Sequence, residues 1–406
     1  MEFLERIKKE TRPDKNVLAE VEKTVSKINE NLKGAVCVPG GSVAKGTFLK
    51  DDFDVDLFVK YDYRYKDKDL SAMLEKTLKI FGNVERVHGS RDYFHIKNRL
   101  NYEIVPVLDI KDPKKAMNVT DMSPLHVEWV KKNLKPGQAD EIRLAKVFCK
   151  ANRLYGAESY IRGFSGHVLD ILIIHYGSFI ALLENSRAWS PKVFIDTESH
   201  YKAKDKALKK LNRSKIHGPM IVVDPILPDR NAAAALNNKN FMKFKSLAKN
   251  FLQNPSENFF VRKKIERKFL RKLAGKDQLL IVRATPKSDK TDVAGAQIVK
   301  SYKYLLRLLK KNDFDVKKSG WEWDKEAMLW FIIDTMPLPE KKIVEGPPAK
   351  MREAVNNFKK KYDHTFIKQD RIFAQTKREF RTPEKLIAST QYLNEKLNEF
   401  SIENYK

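Results

Sequence analysis

Between Pro39 and Lys60 the chain reads PGGSVAKGTFLKDDFDVDLFVK, a turn of two glycines and a serine followed by an apolar run carrying two carboxylates. Side chains alternate faces along a β-strand, so Asp54 and Asp56 project together while Val55, Leu57 and Val59 turn towards a core. Two carboxylates on one face form a hard oxygen site suited to Mg²⁺, which completes its shell with water and substrate phosphates. Gly40-Gly41-Ser42, entered from the apolar run Ala35 to Val38, offers close backbone approach, N–H donors and a hydroxyl for those phosphates. The combination implies nucleotidyl transfer.

Either half alone is ordinary, since Asp-x-Asp is common at strand ends and Gly-Gly-Ser in turns. Their conjunction matters because Asp56 lies inside an apolar strand, where an unpaired carboxylate is costly. A later strand, NYEIVPVLDI, places Glu103, Val105, Val107 and Asp109 on one face, and Asp109, at the strand's end, is the expected third acid. Three acids from neighbouring strands suffice for two metal ions, one activating the attacking oxygen and one stabilising the leaving oxygen. This Gly-Ser, Asp-x-Asp and later strand Asp pattern resembles the polymerase-β-like nucleotidyltransferase superfamily.

Composition narrows the partner. Lys and Arg number 79 against 53 Asp and Glu, a formal charge of +26 in 406 residues, which favours a polyanion and above all nucleic acid. Two cysteines, Cys37 and Cys149, both in apolar surroundings, suit a reducing compartment. The N-terminus is charged from Glu2 onward and no apolar run is long enough for a membrane span, so a cytoplasmic protein with no membrane partner is expected.

The fold class expected is α+β, a mixed α/β chain with a mixed-sheet head, a helical neck and an α/β body and tail. Helical spacing of apolar residues marks Asp14–Leu32 and a helix from Leu70 to Phe81, with strands at 84–88, 93–97 and 102–110. Helices follow at 121–133 and 140–153, the latter with Arg143, Lys146, Lys150 and Arg153 as a basic stripe. Residues 188–216 read as a polar surface connection or hairpin, and Asn231 as the cap of an Ala-rich helix. Residues 262–272 read as a basic helix with Ile265 and Phe269 inside. A β-α-β-β order from Gln278 to Ile333 suggests a small ferredoxin-like or RRM-like sheet, followed by helices at 353–362 and 383–400. The domains expected are a catalytic head at 1–135, a neck or central domain at 136–256, and a body and tail at 257–406.

More selective motifs follow the head. Ser123-Pro124-Leu125-His126, Lys146, Tyr155-Gly156-Ala157-Glu158, Arg162-Gly163-Phe164-Ser165-Gly166 and Val223-Asp224-Pro225 with Arg230-Asn231 together resemble the archaeal class I CCA-adding enzymes. The likeness covers roughly residues 35–260, and Gly346-Pro347-Pro348 also fits. It implies template-independent addition of C, C and A to the tRNA 3′ end from CTP and ATP with two Mg²⁺ ions. Asp54, Asp56 and Asp109 are the implied metal ligands and catalytic acids. Gly41, Ser42 and Lys45 from the turn, with Lys146 and Tyr155 from the neck, are the implied triphosphate holders. His126 is placed near the nucleotide, and Arg230, oriented by Asp224, reads the base edge. Where the family pattern often has Glu and, after the loop Thr, Trp, this chain has Asp54 and Phe48.

Arg143, Lys150, Arg153 and Arg162 are candidates for RNA contact. The resemblance further implies a homodimer gripping the acceptor stem and TΨC arm, with salt-sensitive binding through phosphates. The rivals are a poly(A)- or oligonucleotide-adding polymerase sharing the head, and a silent RNA-binding protein that keeps the scaffold. The chain contains no GxxxxGK[ST] stretch, which argues against a P-loop kinase or ATPase.

Overall fold

In the computed structural model, which describes residues 1–190, 192–288, 290–335 and 337–405, the head is built on a five-stranded sheet. Two helices, α1 (Glu2–Thr11) and α2 (Lys15–Asn29), precede it, the second opened by the Asp14 carboxylate accepting from the Asn16 N–H. Then come β1 (Ala35–Pro39), the one-turn α3 (Gly41–Ala44), β2 (Val55–Tyr61) and α4 (Leu70–Leu78), followed by β3 (Glu85–Val87), β4 (Tyr93–Lys97) and β5 (Asn101–Leu108). The strand order is β1-β2-β5-β4-β3, and only β2 and β5 run parallel, their connection passing through α4. Alternation along β2 sends Val55, Leu57 and Val59 into a core with Val21, Ile28 and Leu74. On the other face Phe58, Val105 and Val107 pack under Val127 of α5 (Ser123–Asn133), leaving Asp56 on that same side of β2.

The neck begins with α6 (Gln138–Ala151), α7 (Gly166–Tyr176) and α8 (Phe179–Arg187). It continues through β6 (Val193–Ile195), α9 (Lys204–Lys210), β7 (Met220–Val222) and α10 (Asn238–Gln253). Its core is aromatic: Phe148, Phe164, Phe179, Phe244 and Phe251 are fully buried, with Phe148 edge-on to Phe179 at 5.4 Å and to Phe244 at 6.0 Å. Of the two readings of 188–216, the described residues fit the connection and not the hairpin. β6 pairs with β7 in parallel, which requires the crossover that α9 supplies. Asn231 caps no helix either; its buried side chain accepts from the Val222 and Ala233 N–H groups, and Asn237 caps α10. Among the described residues no single helix is long and apolar enough to cross a membrane; the bent pair α7–α8 passes by composition, and its apolar side chains are largely neck core.

Contacts divide the chain into two units, Met1–Lys263 and Lys264–Lys406. The second opens on α11 (Arg267–Ala274), in which Leu270 is buried and Phe269 is exposed, against the expectation for Phe269. It then forms β8 (Gln278–Pro286), α12 (Thr291–Lys311), β9 (Val316–Trp323) and β10 (Ala327–Ile333). Next are β11 (Lys341–Pro348), α13 (Arg352–Lys361), β12 (Thr365–Lys368) and β13 (Arg371–Lys377), which make a separate three-stranded sheet with its helix. The chain closes with α14 (Pro383–Ala388), α15 (Gln391–Lys396) and β14 (Leu397–Tyr405). The antiparallel order β14-β8-β10-β9 is that of a ferredoxin-like sheet, completed by a last strand where a helix running to Phe400 is expected from sequence.

Candidate active site

The turn and the acid strand are joined by their backbones. Gly40 N–H donates to the Asp56 carbonyl at 2.7 Å, and Gly41 follows with φ +49°, the left-handed region. A Cβ on Gly41 would lie 1.6 Å from Asp56 Oδ2, so the main chain passes against the carboxylate as only glycine permits. Gly41→Ala should cost about 1–2 kcal/mol of stability through its backbone alone. By displacing Asp56 it should also cut turnover about 100-fold, to be read from steady-state rates beside a thermal melt. Ser42 lies in α3, its carbonyl accepting from the Thr47 N–H at 3.0 Å.

Parallel pairing of β2 and β5 sets Asp56 directly opposite Glu103. Burial, then the charges of Glu103 and Asp54, push the Asp56 carboxyl up to about 7. Burial likewise raises Glu103, against the pull of His95, whose Nε2 is 3.6 Å from Glu103 Oε2. Asp54 is exposed at the strand entrance. Three carboxylates of like charge, one of them buried far enough to retain a proton near neutrality, fit a divalent cation that would compensate them.

Asp109 does not belong to this group. β2 and β5 run together as far as Tyr61 opposite Leu108, and the Asp109 N–H donates to the Tyr61 carbonyl at 2.7 Å. That places Asp109 six residues along from Glu103, the partner of Asp56, roughly 20 Å, where it pairs with Lys60 at 2.8 Å. Alternation correctly puts Glu103 and Asp109 on one face. It cannot say which end of β5 meets the acids of β2; a parallel neighbour brings its beginning there, and that is Glu103.

The basic stripe of α6 turns inward, under the loop that follows the glycines. Lys146 Nζ is buried and donates to the Thr47 carbonyl at 2.8 Å and to its hydroxyl at 3.2 Å. Burial lowers the Lys146 ammonium to about 8, with Asp170 opposing. Lys150 pairs with Asp52 at 2.6 Å and lies over the Tyr155 ring. Arg143 is buried, bonded to Asp140 and to the Gly46 carbonyl, which corrects its assignment to an RNA-facing surface: its donors hold neck to loop. Arg153, with φ +56°, donates to the Lys263 carbonyl at 3.1 Å, and Arg162, with φ +57°, is exposed.

Lys45 from the turn reaches α7, where it pairs with buried Asp170 at 2.9 Å. Burial works against that carboxylate, but Lys45, Lys146 and His167 together hold it below its ordinary range. Asp170 belongs to none of the sequence motifs, and its signal is a lone acid within the apolar run GHVLDILIIHY. Tyr155 is fixed by a backbone crossing: Phe164 N–H donates to the Leu154 carbonyl and Gly163 N–H to the Gly156 carbonyl, both at 2.7 Å. A Cβ on Gly163 would sit 2.0 Å from the Leu154 carbonyl oxygen, which explains why the two glycine-bearing stretches occur together.

His126, Asp224 and Arg230 also meet. Asp224 is fully buried and accepts from the Ile226 and Leu227 N–H groups, from His126 Nε2 at 2.9 Å and from Arg230 Nη1 at 2.7 Å. Burial opposes its charge, yet the bond from His126 and the charges of His126, His167 and Arg230 keep the carboxyl well below the usual range. Arg230 keeps 46% of its side chain exposed, so donors remain available.

Comparison with known proteins adds to this geometry. Residues 18–125 match the nucleotidyltransferase domain, 140–261 the second domain of tRNA nucleotidyltransferases, and 275–399 the C-terminal domain of CCA-adding enzymes. A CCA-adding enzyme of Nanoarchaeum equitans is 36% identical over 82% of this chain and 81% of its own length. One of Methanocaldococcus jannaschii is 32% identical over 84% and 77%. One of Sulfolobus acidocaldarius, at 28%, spans 99% and 94%. Among solved structures, the Cid1 poly(U) polymerase aligns over 64% of this chain and 98% of its own with TM-score 0.51 and 12% identity, a likeness of fold.

Proposed function

The chain belongs to the archaeal class I CCA-adding enzymes, tRNA nucleotidyltransferases that add C, C and A to the tRNA 3′ end without a nucleic-acid template, and we propose that Asp54, Asp56 and Glu103 are its catalytic acids. The observation that carries this assignment is the parallel register that sets Glu103 beside Asp56. Members of the superfamily use a divalent metal and nucleoside triphosphates; here two Mg²⁺ ions, held by the three acids, would supply charge neutralisation and a more acidic attacking hydroxyl.

In the reaction the tRNA 3′-oxygen bonds to the α-phosphorus of CTP or ATP, the bond to the bridging oxygen breaks, and pyrophosphate leaves. Gly41 and Ser42 present backbone and hydroxyl donors to the triphosphate. Lys45 and Lys146 place positive charge beside it, with Tyr155 alongside. His126 lies close to the nucleotide and shares Asp224 with Arg230. Asp224 fixes the guanidinium, whose donors match the acceptor nitrogen that cytosine and adenine share beside an exocyclic amine. Catalysis comes from positioning and charge, with no covalent enzyme intermediate.

Residues 1–135 serve catalysis, 136–256 nucleotide selection, and 257–406 the grip on the acceptor stem and TΨC arm. Lys150, Arg153 and Arg162 add phosphate contacts. A duplex stem read by shape and 2′-hydroxyls lets one enzyme serve all tRNAs. The family resemblance supports a homodimer working in the cytoplasm.

The test is primer extension on tRNA lacking its terminal CCA. Two nucleotides added with CTP alone, and a stop after one more when ATP is present, support the assignment; a long adenylate tail or binding without extension overturns it. Arg230→Ala should raise KM for CTP and ATP about 10- to 100-fold and admit UTP, measured as single-nucleotide incorporation with each triphosphate.

A further inference from the structure

We propose that His126, His167 and Asp224 form a second metal site, one for a d-block dication of the Zn²⁺ or Co²⁺ kind, apart from the three acids. One ligating atom from each residue lies within 4.8 Å of the others. His126 Nε2 stands 2.9 Å from Asp224 Oδ1, and His167 Nε2 stands 3.9 Å from Asp224 Oδ2. Metal bonds of about 2.0–2.1 Å at tetrahedral angles place donor atoms roughly 3.4 Å apart, so shifts of about half an ångström bring the two His–Asp distances into range.

His167 makes the case specific. Its ring meets His126 edge-on at 4.5 Å between centroids, and both of its nitrogens are buried without a hydrogen-bond partner. Buried polar atoms are normally paired, so an imidazole with two idle nitrogens beside a carboxylate is a ligand in waiting. Two imidazoles and one carboxylate leave a fourth position open and prefer d-block ions to Mg²⁺.

Arg230 is the competitor, since its Nη1 bonds the same Asp224 oxygen at 2.7 Å. A dication held on Asp224 Oδ2, the oxygen that His167 faces, displaces Arg230 and is therefore inhibitory. The inhibition rests on the function proposed above; the binding does not.

The test is Co²⁺ titration of the full chain in saturating Mg²⁺, read by visible absorption. One Co²⁺ per chain with an intense tetrahedral band is expected. That band should disappear in His167→Asn, with folding checked by circular dichroism. Arg230→Ala, which removes the rival cation, should bind Co²⁺ about tenfold more tightly. No band, a weak octahedral band displaced by Mg²⁺, or unchanged binding in folded His167→Asn overturns the proposal. If His167→Asn does not fold, tighter binding by Arg230→Ala sustains it and unchanged or weaker binding overturns it. Failure of CCA addition with the Co²⁺ band intact would strike the proposed function and leave this site standing.

Discussion

Asp56→Asn should abolish nucleotide addition, with a loss of at least about 1,000-fold, or about 4 kcal/mol of transition-state stabilisation. The same change should make the metal-free protein more stable. Folding raises this carboxyl from 3.8 to about 7, so between those values the folded state binds more protons than the unfolded one. Stability contributed by the protonated Asp56 is therefore complete below about pH 4 and is lost as pH rises towards 7. Melting curves in a chelator should show the advantage of Asp56→Asn growing across that window and levelling above it, at no more than about 4 kcal/mol. Added Mg²⁺ should narrow the gap by compensating the wild-type charge. A variant with wild-type turnover would remove Asp56 from the chemistry, and a pH-independent difference in melting would show that its carboxylate is already balanced.

Glu103→Gln should lower turnover about 100- to 1,000-fold with little change in fold, whereas Asp109→Asn should stay within about threefold of wild type. The contrast follows from register. Glu103 stands opposite Asp56, while Asp109 is bonded through its N–H to Tyr61 and through its carboxylate to Lys60 at the far end of the strand pair. Single-turnover rates at saturating CTP, with the Mg²⁺ dependence of each variant, separate the two. Glu103→Gln should need more Mg²⁺ for half-maximal rate and Asp109→Asn should not. The reverse pattern would mean that the strands shift relative to one another when tRNA and nucleotide bind.

The same contrast marks where sequence reading reached its limit. Period-two alternation identified the strands of the head, the shared face of Asp54 and Asp56, and even the common face of Glu103 and Asp109, because a strand's side-chain direction is a local property. Which end of β5 approaches β2 depends on a crossover some forty residues long. In the same way the basic stripe of α6 was legible as a stripe, but a hydrophobic pattern cannot distinguish a solvated basic face from one buried against polar backbone. Lys146 and Arg143 spend their donors on the carbonyls of Thr47 and Gly46. The ferredoxin-like sheet was legible through its first three strands. Its fourth, β14, follows two short helices without an alternating run strong enough to stand out, and only pairing with β8 makes it a strand.

The sequence alone determined the head's chemistry, through a glycine turn and paired acids at fixed spacing, and the family, through motifs whose residues are demanded by backbone crowding. Gly41 and Gly163 have no room for a Cβ, so their identity is written into the chain. Tertiary structure decided which charges face one another: Glu103 with Asp56, Lys45 with Asp170, and His126 and His167 with Asp224. These groups lie tens of residues apart along the chain, and electrostatic energy depends on distance in space and on exclusion of water, neither of which sequence spacing records.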